Sequence, residues 1–156
     1  NHLRYGEPVG VETLTKEITD YIQQYTQVGG ARPFGVALII AGIANGEPRL
    51  YETDPSGTPY EWKALAVGAD RSDIRDYLEA HYDEEMALSD GVDLALEALA
   101  SVTEDGLTAE GIGVATIDVE TEEFGELSDD EKRDHLEAAD LLADPDDEDD
   151  ADDDEE

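Results

Sequence analysis

Cysteine is absent from the 156 residues, which excludes disulfides, thiolate metal ligands and a cysteine nucleophile. Basic residues are scarce: nine Lys and Arg, with lysine only at Lys16, Lys63 and Lys132, face 43 Asp and Glu, for a formal charge of −34. A surface of that sign repels phosphates, so direct binding to nucleic acid or to an anionic membrane is excluded. Long apolar runs are missing as well. The longest, Phe34 to Ala44, is too short to span a bilayer, and no basic-then-apolar leader is read; a soluble, cytoplasmic chain is expected. Methionine occurs once, at Met86, and residue 1 is Asn. The expectation is a chain that is either processed or the C-terminal part of a longer protein.

What remains is sufficient for one core. Hydrophobic residues make up 39% of the chain, and a domain of this size buries roughly 68–70% of its unfolded surface. Asp144 to Glu156 holds eleven acids plus Pro145 and Ala151; such a segment cannot pack and is expected to be a disordered tail. Without it, 32 acids still face nine bases, a surplus of 23 spread over the body. At a Debye length of about 8 Å such a body repels itself, whereas in molar salt the length falls to about 3 Å and the repulsion is screened. The composition is that of a protein built for a salt-saturated cytoplasm.

The pattern of apolar residues divides the chain into blocks. Val11, Leu14, Ile18, Tyr21, Ile22 and Tyr25 recur every three or four residues, predicting a helix over 11–27 with these on one face. Asn1 to Tyr5 reads as the last turn of an earlier helix, closed by Gly6 and Glu7-Pro8. Gly29-Gly30 forces a turn, and the run Phe34 to Gly42 reads as a strand covered on both faces. Arg49 to Thr53 is a second strand, Asp54 to Gly57 a turn, and Tyr60 to Gly68 a third strand, completing an antiparallel meander. Asp70 is placed as the N-cap of a helix carrying Ile74, Leu78 and Tyr82 on one face. Ser89 is placed as the cap of the next, with a stripe of Val92, Ala95, Leu96 and Leu99. Ile112 to Val119 and Phe124 to Leu127 are strands around the acidic hairpin Glu120 to Glu123. Ser128-Asp129-Asp130-Glu131 has capping-box spacing and opens a last helix through Leu142. Strands and helices fall in blocks, so the fold class is α+β rather than a parallel βαβ sheet.

No catalytic or ligand motif stands out. The hydroxyl residues and His2, His81 and His135 show no Gly-x-Ser-x-Gly elbow, and the histidines are read as surface or boundary residues. The acidic runs lack the glycine and terminal glutamate of a calcium loop and read as solvated surface. Gly29-Gly30 precedes a strand, not a helix N-terminus that could receive a phosphate. No catalytic residue, metal site or cofactor is expected.

The run Gln23-Gln24-Tyr25-Thr26-Gln27-Val28-Gly29-Gly30-Ala31-Arg32-Pro33-Phe34-Gly35-Val36 resembles the helix-turn-strand segment of archaeal proteasome α subunits. Tyr5-Gly6-Glu7-Pro8 resembles the linker between that family's first two core helices. Glu52-Thr53-Asp54-Pro55-Ser56-Gly57 and Glu61-Trp62-Lys63-Ala64 with Gly68 resemble its next hairpin. The four blocks stand in the family's order, and the resemblance covers residues 1 to about 143, with the family's N-terminal segment, first strands and most of its first core helix missing. Members from salt-adapted archaea share the acidic bias and tail.

The resemblance implies a four-layer α-β-β-α sandwich of the amino-terminal-nucleophile hydrolase type, here incomplete because the N-terminal strands are missing. Residues 1–143 would be the C-terminal part of the core domain and 144–156 the tail. It implies a non-catalytic subunit of a seven-membered outer ring that forms the antechamber and the substrate pore. The implied partners are other α subunits, β subunits with an N-terminal threonine nucleophile, an unfoldase ATPase ring, and unfolded protein in transit. The gating tail and the pocket lysine for the ATPase lie in the missing part, so this segment alone is expected neither to gate nor to dock. The turn Val28-Gly29-Gly30-Ala31 is implied to line the pore; Val28 departs from the tyrosine of some members, giving a smaller lining without a phenol. Two other readings are kept open. One is a catalytic β-type threonine peptidase, which would open on Thr rather than Asn1. The other is an acidic binding protein for basic partners, which would cluster its acids on one face.

Overall fold

The computed structural model describes residues 10–27, 38–53 and 58–143. The expectations placed on Asn1 to Pro8, on the turns at 28–31 and 54–57 and on the tail 144–156 lie outside the described residues. Among those described, the order is α1 (Val11–Gln27), β1 (Leu38–Ala44), β2 (Glu47–Thr53), β3 (Pro59–Trp62), α2 (Arg71–His81), α3 (Leu88–Ala100), β4 (Ala115–Ile117), β5 (Phe124–Glu126) and α4 (Asp129–Ala138). This is the α+β succession read from the sequence. The chain divides into two compact units, one drawn from residues up to Leu65 with Ile117–Glu123, the other from Ala66–Thr116 with residues from Phe124 onward.

In the first unit β1, β2 and β3 form an antiparallel meander in that order. Asn45-Gly46 turns β1 into β2 with φ of 57° and 77°, the two positive values that a two-residue hairpin twisted to match its strands requires. Register pairs Ile40 with Tyr51 and Tyr51 with Glu61, and in the adjoining rows Ile39 with Glu52 and Glu52 with Tyr60. Alternation then places Leu38, Ile40, Gly42, Tyr51 and Thr53 on one face, and Ile39, Ala41, Leu50, Tyr60 and Trp62 on the other. β3 ends at Trp62, six residues before the expected Gly68; Gly68 itself has φ of 125° and lies in a bend.

α1 has the predicted limits but a rotated buried stripe. Val11, Thr15 and Thr19 are buried, while Leu14 of the expected face is exposed. The helix packs on the sheet, and the small threonines let it approach closely while their hydroxyls are satisfied within the helix: Thr15 donates to the Val11 carbonyl at 2.8 Å and Thr19 to that of Lys16 at 3.0 Å.

The second unit is helical around Val92, Leu96, Leu107, Ala109 and Leu136. Leu136 is wholly buried, and truncating a leucine so placed costs about 2–5 kcal/mol. α3 packs against both α2 and α4, so its buried residues are Val92, Leu94, Leu96 and Ala98. Ala95 and Leu99 of the predicted single stripe are exposed, because two neighbours draw in two sides of the helix. Ser89 does not cap: α3 starts one residue earlier, with Ala87 at the N-cap and no side-chain bond. Asp70 does hold the N-cap position of α2, but its side chain makes no cap bond. The Ser128–Glu131 capping box is formed in full. α4 stops at Ala138 rather than Leu142, with Asp140 at φ 55°. The chain then returns beside Leu107, which donates to the Leu141 carbonyl at 2.9 Å and accepts from Ala143 N–H at 3.0 Å. Gly106 is needed there, since a Cβ would meet the Ala143 backbone at 2.8 Å. The strand expected over 112–119 is confined to Ala115–Ile117.

Candidate functional site

The predicted pore turn Val28-Gly29-Gly30-Ala31 lies outside the described residues. The elements on either side of it are described: α1 ends at Gln27 and β1 starts at Leu38. Their seating on the sheet is therefore the frame from which the turn is held.

At one end of the frame, Gly42 lies beneath Val11 so closely that a Cβ on it would overlap the valine Cγ2. A glycine inside an apolar strand is the sequence signal for such an approach. At the other end, the Leu38 N–H donates to the hydroxyl of Thr53 at 3.2 Å. Thr53 is wholly buried and stands opposite Leu38 in the register, so the last rung of the β1–β2 ladder is closed by a side chain. Between them Tyr51 is buried, and burial pushes its phenol above the ordinary value. Arg49 Nη1 donates to Glu61 Oε1 at 2.6 Å across β2 and β3, and this bond raises the guanidinium further above its ordinary value. Sequence reading singled out none of Val11–Gly42, Thr15 or Thr53 as partners. Thr15 and Thr19 are four apart, a helical spacing, but an apolar-only stripe passes over threonine.

The histidines are structural. His81 stacks on Tyr77 with ring centroids 4.2 Å apart, its Nδ1 2.8 Å from the Tyr77 carbonyl oxygen. His135 Nδ1 lies 2.5 Å from Asp93 Oδ1 and joins α4 to α3. His2 is outside the described residues. Lys132 is buried, donating to the Ile112 carbonyl at 2.8 Å and pairing with Asp129 at 2.8 Å; that lysine holds the Asp129 carboxyl below its usual range. In the acidic hairpin Asp118 Oδ1 accepts from the backbone N–H of Thr121 and Glu120 and from the Thr121 hydroxyl, which lowers its carboxyl likewise. The acids here organise turns and caps. Among the described residues no group of three or more His, Asp or Glu converges as a metal site, and no helix is long and apolar enough to cross a membrane.

The family model described as "Proteasome subunit" matches residues 1–117. The chain is 82% identical over 142 residues to proteasome subunit alpha 1 of Haloarcula marismortui, covering 91% of this chain and 55% of that protein. It is 68% identical over its full extent to proteasome subunit alpha of Natronomonas pharaonis, covering 60% of it. With proteasome subunit alpha 1 of Haloferax volcanii it shares 64% identity over 95% of this chain and 59% of the relative. The chain thus spans between half and two thirds of the length of these relatives. Matched by the family model over most of its length, the chain belongs to the proteasome subunit family.

Proposed function

We propose that the chain is a non-catalytic α-type subunit of a proteasome core particle, acting in the cytoplasm of a salt-adapted cell as part of the outer heptameric ring. The observation that carries this reading is the high identity to proteins named as α subunits over nearly the whole chain. In such a ring the chain packs against other α subunits and a β ring that holds the threonine peptidase chemistry. An unfoldase ATPase docks on the outer face and passes unfolded protein through the axial pore.

Within this reading residues 1–143 are the C-terminal part of a four-layer α-β-β-α domain, and 144–156 are an acidic tail. Support comes from the sheet face turned away from α1. There Ile39, Tyr60 and Trp62 are 46%, 50% and 40% exposed, as suits a face whose covering sheet is supplied by strands outside these 156 residues.

The turn Val28-Gly29-Gly30-Ala31 lines the pore. Two glycines place no side chains in the opening and accept positive φ, so seven copies can approach the axis while an unfolded strand still passes. The test is Gly30→Trp in the full-length subunit assembled with its β partner. Degradation of an unfolded protein should slow markedly while hydrolysis of short peptides is spared. Assembled particles that degrade unfolded protein at the parental rate would overturn the assignment.

A further inference from the structure

We infer that Thr53 is a positioning residue for the pore turn, an inference that rests on the α-subunit reading above. Residues 28–37 join α1 to β1, so the point at which this segment re-enters the sheet is Leu38. That point is held by an unusual device. The Leu38 amide bonds to the Thr53 hydroxyl rather than to a strand carbonyl, and the hydroxyl sits on a side chain with no solvent exposure. Water cannot replace it, and no rotamer change can be made without disturbing the packing around it. Beyond Thr53 the chain leaves β2 as well, so this bond is the last tie between the strands on the side from which residues 28–37 enter. The second anchor, Gly42 against Val11, fixes the start of α1 and leaves the Leu38 end to Thr53 alone among the bonds described.

In a ring of seven, each turn meets its neighbours at the axis, and a loosened anchor broadens the bore. The affected property is size discrimination: a chain that must pass as a doubled loop should gain access, while a single strand and a short peptide already pass.

The experiment uses full-length subunits assembled with β subunits and compares the parent with Thr53→Val, Thr53→Cys and Thr53→Ser. Valine keeps the shape and removes the acceptor, cysteine weakens it, and serine keeps it. Thr53→Val should speed exchange of the Leu38 amide about fivefold, the factor carried by one net hydrogen bond. The rate on a looped, internally cross-linked polypeptide relative to a single-stranded one should rise by a similar factor. Thr53→Cys should fall between, and Thr53→Ser should restore both readouts. Should Thr53→Val fail to assemble, the Cys and Ser pair carries the comparison. Faster exchange with an unchanged substrate ratio, or effects that follow side-chain volume instead of acceptor strength, would overturn the inference. Gly30→Trp assayed alongside separates the two claims: if it slows unfolded protein while Thr53→Val changes no ratio, the turn lines the pore but Thr53 does not position it. If Gly30→Trp is without effect, the pore reading itself fails.

Discussion

Gly42 and Val11 are in such close apposition that the strand has no room for a Cβ where the valine side chain rests. The contact seats the first turn of α1 on β1, and the helix carries its buried threonines over the sheet from there. Gly42→Ala should therefore lift α1 or displace Val11, at the cost of about 1–3 kcal/mol usual for overpacking. Val11→Ala in the same chain should recover part of the loss by opening the space. Thermal melts of the four combinations check this; additive effects of the two changes would show that the contact does not govern the helix.

Acid should release the caps before it reaches the core. The Glu131 carboxyl accepts from the Ser128 hydroxyl and from its backbone N–H, which hold it below the usual range; Asp129 is lowered by Lys132 and Asp118 by Thr121. A lowered folded value means that folding favours the ionised form. The contribution is complete above the unfolded carboxylate value of about 4 and is lost as pH falls through the folded values. Ser128→Ala should cost about 1 kcal/mol near neutrality and less once Glu131 is protonated in both proteins. Denaturant melts across pH measure the difference; a gap that stays constant down to about pH 3 would contradict the linkage.

The acidic surplus predicts a dependence on salt. Thirty-two acids against nine bases outside the tail leave a body whose self-repulsion grows as the screening length lengthens from about 3 Å in molar salt to about 10 Å at 0.1 M. The full-length protein should lose ring assembly first and then its fold on that dilution, followed by light scattering and circular dichroism in parallel. Full stability in dilute buffer would refute the screening account.

The sequence by itself determined the elements whose signal is local. α1 has its predicted limits because the recurrence of Val11, Ile18 and Tyr25 is a helical period. The Ser128–Glu131 capping box was legible because both of its bonds lie within four residues. The α+β order followed from blocks of alternating and helical patterns, and the resemblance to proteasome α subunits rested on short motifs in their proper order. Tertiary structure decided what depends on neighbours. The buried side of α1 passes through Thr15 and Thr19 rather than Leu14 because close approach to a sheet rewards small residues over large ones. α3 buries two sides because it lies between α2 and α4. The end of α4 is set by the return of the chain beside Leu107 and Gly106, some thirty residues away in sequence. Thr53 is the clearest case. Its hydroxyl matters because it is fifteen residues from the amide it holds, and no local pattern records which distant donor a buried acceptor will meet.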